Sequence, residues 1–307
     1  MSNLDPEEIP VESVAAPRAV KRPRPRAAYA LPTLFTAGNI FLGYLSIVNT
    51  IQGALAFTAQ PALAQQDFEV AAKTIGLAVV LDGLDGRIAR MTNTTSEFGR
   101  ELDSLADVIS FGIAPAILAY VWGVMFATNA GGSFILDHLQ RLGKLLAFLF
   151  LACGAARLAR FNIQKNPMPS NPGAPHRRYF VGLPIPAGAG MVAAVIFAMG
   201  SIPVTDPWWS VAWVALLGLL SFLMISAWRY WSFKELNLLR PRSPVILVLM
   251  CLVIYAIWNW ARVVLLVLAS IYVSSGIVIR VGGIIRRGGK PRPPMPAPHD
   301  HPEAQIG

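Results

Sequence analysis

From Leu31 to Ile279 the sequence is a succession of apolar runs, most of them long enough to enter or cross a bilayer. No other feature narrows the possible folds as much, because a run of about 20 apolar residues reads as a membrane-spanning helix. Composition agrees: of 307 residues 54% are hydrophobic and 14% charged, with a mean hydropathy of +0.51, the profile of a multi-span membrane protein. The expected fold class is all-α, a polytopic transmembrane bundle of about eight helices with a polar cavity facing the cytoplasm.

The runs divide the chain. Residues 1–28 are expected to be a disordered, Pro-rich cytoplasmic tail whose Arg18, Lys21, Arg22, Arg24 and Arg26 meet anionic lipid or simply keep the tail solvated. Six helices are expected within residues 29–228. The first runs from about Leu31 to Phe57 and the second from about Phe68 to the first of two carboxylate pairs. The third leads away from the second pair, the fourth covers about Leu145 to Leu158, the fifth lies in GLPIPAGAGMVAAVIFAMG, and the sixth spans about Trp208 to Trp228. Residues 229–287 are expected to add two further spans, about Pro244 to Trp258 and Val263 to Ile279, before a disordered tail from 288 to 307.

Positive charge sets the orientation. Arg87, Arg90 and Arg100, then Arg157, Arg160, Lys165, Arg177 and Arg178, then Arg229, Lys234, Arg240 and Arg242 fall in alternate loops, against Arg141 and Lys144 on the other side. The positive-inside rule therefore places both termini and the carboxylates at the cytoplasmic face of the cell (inner) membrane. The net charge of +9 comes from these clusters between apolar runs, so anionic lipid headgroups, and no nucleic acid, are the expected partners. Cys153 and Cys251 both lie in apolar segments and read as small core residues.

Within this apolar background stands DGLDGRIARMTNTTSEFGRELDSLAD, residues 82–107. Asp82 and Asp85 are three residues apart, Asp103 and Asp107 four, so on helices each pair shares a face. Gly99 lies one turn before Asp103. MTNTTSEFG is short and polar enough to bend a helical hairpin, with Thr94 and Glu97 at capping-box spacing. Closing the hairpin brings the pairs face to face. Ionisable groups beside a bilayer are costly unless paired, and an all-oxygen ligand set favours Mg²⁺, Mn²⁺ or Ca²⁺. Gly86 and Ala89 leave room for a flat ring or a diphosphate, or for close helix packing. Arg90 offers a planar fork to phosphate. A metal-bridged diphosphate is the ligand that uses all of these groups; two cations about 3.5–4 Å apart can clamp both oxygens of an in-line displacement.

The same stretch resembles the signature of the CDP-alcohol phosphatidyltransferases: Asp82, Asp85, Gly86, Ala89, Arg90, Gly99, Asp103 and Asp107 fill every fixed place of it. That resemblance implies two divalent cations, Mn²⁺ or Mg²⁺, held by Asp82, Asp85, Asp103 and Asp107, with Asp107 also the general base. It implies a cytidine pocket at Gly86 and Ala89, nucleotide contacts from Arg90 with Asp82 close to the CDP moiety, lipid tails lying between helices, and a homodimer. Beyond the signature, LPTLFTAGNIFLGYLSI, TSEFGRELDSLADVISFGIAPA, ACGAARLARFN and GLPIPAGAG resemble the phosphatidylserine synthase branch, which implies CDP-diacylglycerol and L-serine as substrates. The likeness covers most of residues 31 to about 228. Where many members have Pro-Asn, this chain has Pro32-Thr33, so no polar contact is expected of Thr33.

Other residues carry two readings. Arg157, Arg160 and Asn162 would bind the serine carboxylate or the donor phosphate, or anchor the inner membrane edge. Thr36 and Asn39 would face the site or bond between helices. His176, Arg177 and Arg178 read as a plain basic loop. Asn93-Thr94-Thr95 matches a glycosylation sequon but faces the cytoplasm in this topology. Two alternatives stay open: another acceptor alcohol (glycerol 3-phosphate, inositol phosphate or choline), or a divalent-cation carrier. The carrier leaves Gly86, Ala89 and Arg90 unexplained.

Overall fold

The computed structural model describes residues 27–92, 97–128, 133–165, 179–231 and 244–288. They form helices α1 (Ala27–Ala56), α2 (Pro61–Thr92), α3 (Glu97–Asp107), α4 (Ala114–Tyr120), α5 (Ser133–Lys165), α6 (Ile185–Ala198), α7 (Pro207–Ile225) and α8 (Pro244–Gly288). Two π-helical turns, Val108–Ile113 and Val121–Met125, join α3 and α4 and extend them into one rod. Five stretches are long and apolar enough to cross a membrane: Thr33–Ala56, Phe98–Met125, Leu136–Ile163, Pro207–Ile225 and Cys251–Arg280. Charges in α2 and the 14-residue length of α6 keep these two out of that set, although both supply buried core residues, among them Phe68, Ile75, Ile185 and Ile196.

Several boundaries differ from expectation. The residues before Leu145 were expected as loop, yet α5 begins at Ser133. Leu139 is buried, and Gly143 packs so tightly that a Cβ there would lie 2.7 Å from Val124. An amphipathic lead-in of this kind holds too many polar residues to register as an apolar run. Likewise α2 starts at Pro61 rather than near Phe68; proline is favoured in the first helical position, and Ala64 and Phe68 are fully buried. The last two apolar stretches are two helical segments that meet within α8 at a kink at Trp260, whose φ of −134° and ψ of 44° are not helical. The kink falls between the two spans expected at about Pro244 to Trp258 and Val263 to Ile279. A short antiparallel ribbon, β1 (Tyr179–Val181) with β2 (Arg229–Trp231), pairs Phe180 with Tyr230 and was not expected at all. The Thr94 cap, the Asn93 sequon, His176 to Arg178 and both tails lie outside the described residues.

Close backbone approaches seat α3 and its continuation against the neighbouring helices. A Cβ at Gly43 of α1 would lie 2.9 Å from Ser110 Cα, so only glycine allows this contact. Ser110 Oγ then donates to the Asn39 carbonyl at 2.8 Å. On the far side Trp213 Nε1 of α7 donates to the Ala119 carbonyl at 2.9 Å, and the Trp122 and Trp213 rings meet edge to face at 5.1 Å. Ser46 Oγ of α1 donates to the Ala71 carbonyl of α2 at 3.1 Å. These three buried side-chain donors thus find backbone acceptors between helices, as a bilayer interior demands.

α8 docks at two places. Near Trp260, Arg262 reaches Glu69 of α2 at 3.6 Å and lies over the Phe197 ring of α6. Further along, the fully buried Tyr230 of β2 enters the space that Gly276 leaves open. The Tyr230 hydroxyl faces the Val273 carbonyl at 3.5 Å.

Candidate active site

α2 and α3 bring three of the four predicted carboxylates together. One oxygen from each of Asp82, Asp103 and Asp107 lies within 4.8 Å of the others. α2 runs unbroken past Asp82 to Thr92, so Asp85, Gly86, Ala89 and Arg90 lie on its final turns; their side chains are outside the described set. Asp103 and Asp107 occupy the last turn of α3, where a four-residue step returns to the same face. Asp107 is the most enclosed, 9% exposed, while Asp82 and Asp103 are half-buried.

Two unit charges at such a separation repel by about 3–4 kcal/mol at an effective dielectric of about 20. Three converging carboxylates therefore call for compensating positive charge. All their ligand atoms are hard carboxylate oxygens, which suit a divalent cation of the Mg²⁺ or Mn²⁺ type. The donor set fits such an ion.

Beside the carboxylates lies a polar cavity of about 120 Å³ between α3 and α5. Asp103, Ser104 and Asp107 line one wall, and Phe161 and Asn162 the other, with Arg100 and Glu101 also on its border. Asn162 Nδ2 donates to Ser104 Oγ at 2.8 Å, and Ser104 Oγ donates to the Arg100 carbonyl at 3.0 Å. This chain of bonds ties the end of α5 to the carboxylate-bearing turn of α3. The cavity has room for a small polar molecule.

Of the remaining predicted residues, Arg157 is half-buried on α5, within electrostatic reach of Asp107. Its buried Nε has no hydrogen-bond partner among the described residues. Arg160 is exposed, so three residues along α5 suffice to separate these two cations. Thr36 and Asn39 are buried on α1, and Asn39 serves the helix contact through its carbonyl. Ser104 and Phe161 were not singled out from sequence. Both stand next to residues that were, Asp103 and Asn162, and the period of α3 and α5 would have found them once the two helices were paired.

A second, apolar cavity of about 680 Å³ opens between α2, α6 and α8. Gly76, Val80, Ala187, Gly190, Leu268 and Tyr272 are among its walls.

The family model for CDP-alcohol phosphatidyltransferase matches residues 29–213. A Helicobacter pylori protein named CDP-diacylglycerol–serine O-phosphatidyltransferase is 39% identical over 209 residues, covering 68% of this chain and 75% of the relative. Proteins of the same name are 32% identical over 246 residues in Methanocaldococcus jannaschii (78% of this chain, 94% of the relative) and 30% identical over 205 residues in Bacillus subtilis (67% and 92%). The match ends within α7 and leaves α8 outside it. Apolar spans, converging aspartates and this match agree: the chain is an integral membrane protein of the CDP-alcohol phosphatidyltransferase family.

Proposed function

We propose that the protein transfers the phosphatidyl group of CDP-diacylglycerol to L-serine, giving phosphatidylserine and CMP. The convergence of Asp82, Asp103 and Asp107 beside a small polar cavity carries this reading. The names of the relatives support serine as acceptor. So does the cavity, whose hydroxyl and amide at Ser104 and Asn162 suit a small alcohol better than a phosphorylated one, which would need more cations.

In this reading Asp82, Asp85, Asp103 and Asp107 hold two divalent cations, Mn²⁺ or Mg²⁺, which when bound offset the diphosphate charge and make its phosphorus more electrophilic. Gly86 and Ala89 give the cytidine room to approach α2, and Arg90 supports the nucleotide's polar groups. Arg157 and Asn162 hold the serine carboxylate, and exposed Arg160 serves the membrane edge. Asp107 accepts the proton of the serine hydroxyl. The hydroxyl oxygen attacks the lipid-bearing β-phosphorus in line, the bond from that phosphorus to the CMP oxygen breaks, and CMP leaves with the electron pair. The apolar cavity between α2, α6 and α8 suits the lipid part of the donor.

The six-helix unit of residues 29–228 carries the chemistry, with both termini and the site cytoplasmic and a homodimer as the assembly. CMP release by the purified protein in detergent, with CDP-diacylglycerol, Mn²⁺ and one alcohol at a time, tests the reading. Release with L-serine alone, abolished by a chelator, is the expected result. Release with a different alcohol overturns the acceptor, and metal flux into proteoliposomes without CMP formation overturns the enzyme. Retention of configuration at phosphorus would replace direct displacement by a covalent intermediate.

A further inference from the structure

The helix outside the family match supplies the third wall of the apolar cavity between α2, α6 and α8. The three helices run in register along it. A Cβ at Gly190 of α6 would meet Val79 of α2, and seven residues further on Phe197 lies under Lys73, six residues back along α2. Arg262 of α8 lies over the same Phe197 ring, 5.6 Å from its centre against 5.5 Å for Lys73. Both cations share Glu69, Lys73 at 2.6 Å and Arg262 at 3.6 Å. At the other end Tyr272 of α8 packs on Tyr230 of the ribbon whose β1 leads into α6. That end adjoins the site, since Val80 lines the cavity two residues before Asp82. Between the ends the walls run from Pro186 to Phe197 on α6 and from Ala261 to Tyr272 on α8. Each is eleven residues, or about 16 Å at a rise of about 1.5 Å per residue. One lipid acyl chain reaches across half of a hydrocarbon core of about 30 Å, so about 15 Å. The cavity is therefore as long as a single chain. Part-way along it a Cβ at Gly76 would meet nothing within 4 Å among the described residues. Beyond Lys73 the surroundings turn polar, in a pocket of about 330 Å³ whose walls include Gln65, Gln66, Glu69 and Lys73 itself.

We propose that Lys73, Glu69 and Arg262, gathered on Phe197, are the end stop of an acyl slot and set the longest chain of CDP-diacylglycerol that the protein turns over at full rate. A chain entering from the Asp82 end meets apolar walls as far as Lys73. Further methylenes would strip water from amide and charged groups without replacing its hydrogen bonds. The inference deepens the reading of this cavity as the place of the donor's lipid part, and rests on it. α8, outside the family match, then takes part in choosing the donor.

CMP release by the full-length protein in detergent, with L-serine and Mn²⁺, is measured on dioctanoyl, dipalmitoyl and dibehenoyl CDP-diacylglycerol. Wild type, G76L and E69L/K73L are compared, with thermal denaturation of each. In wild type, kcat/KM is expected to fall more than about tenfold from the dipalmitoyl to the dibehenoyl donor, because each methylene moved into polar surroundings costs about fourfold. G76L puts a side chain into the slot, so the dipalmitoyl donor should lose about tenfold or more relative to the dioctanoyl one. E69L/K73L makes the end apolar and should bring the dibehenoyl donor to within about threefold of the dipalmitoyl one. Equal turnover of dipalmitoyl and dibehenoyl donors by wild type overturns the inference while the activity stands. So does a wild-type donor profile in G76L, a uniform loss there over all three donors, or an undiminished dibehenoyl penalty in folded E69L/K73L. No CMP from any donor in folded wild-type protein overturns the proposed activity, and the inference with it.

Discussion

Replacing Gly43 by alanine tests whether helix packing sets the carboxylate geometry. The new Cβ would meet Ser110 Oγ at 2.6 Å, Ser110 Cβ at 3.1 Å and Ser110 Cα at 2.9 Å. The hydroxyl can rotate away, but the Cα cannot. Restoring ordinary van der Waals distance requires the two backbones to part by roughly 0.5–1 Å, an overpacking that costs about 1–3 kcal/mol. Alanine's better helix propensity returns about 1 kcal/mol, leaving a net loss of about 0–2 kcal/mol. Ser110 lies three residues after Asp107, so the displacement passes directly to the carboxylate turn. A misplacement near 1 Å can cost about 10²-fold in rate, so kcat for CMP release should fall far more than stability does. Gly83→Ala is the control: it sits next to Asp82, yet its Cβ meets nothing within 4 Å among the described residues. Full kcat in G43A would refute the idea that this contact positions Asp107.

Asp107→Asn should lower kcat by about 10²–10⁴-fold, as expected on losing a general base, with the melting temperature kept; full turnover in this variant removes Asp107 from the mechanism. Mn²⁺ at a hundred times its dissociation constant should stabilise the protein by about 2.7 kcal/mol, an effect read by thermal denaturation that D82N/D103N should lose. Trp213→Phe removes the buried bond to the Ala119 carbonyl and should cost about 1–3 kcal/mol, measured as a lower melting temperature. Burial pushes the Tyr230 phenol up to about 12. A raised folded value means its contribution to stability is full below about pH 10 and is lost as pH climbs from there toward about 12. Melting curves of wild type and Y230F should therefore converge across that window, and parallel curves would argue against it.

The site was legible in the sequence where chemistry demands fixed helical steps. Asp82, Asp103 and Asp107 could be placed together because three- and four-residue spacings have one meaning on a helix, and the surrounding apolar runs made a solvated hairpin end the weaker explanation of the acids. Hydrophobicity located the bundle but misjudged its ends, since the first turns of α2 and α5 are amphipathic and look like loops when only apolar residues are counted. The ribbon of β1 and β2 was invisible because three-residue strands carry no period. Arg157 and Arg160 looked equivalent at three residues' separation, and only the packing of α5 buries one and exposes the other.

The π-helical turn from Val108 to Ile113 changes how the third span would tolerate insertions and deletions. A π turn closes its hydrogen bonds one residue later than an α turn, so it takes up one residue more in the same turn. Removing one residue from Val108–Ile113 would let the rod relax to α-helix with the faces above and below it still in phase. The same deletion between Asp103 and Asp107 would swing one carboxylate by about 100° around the helix, out of reach of Asp82. The span thus carries, immediately after its last acid, a place where chain length can vary without rotating the site.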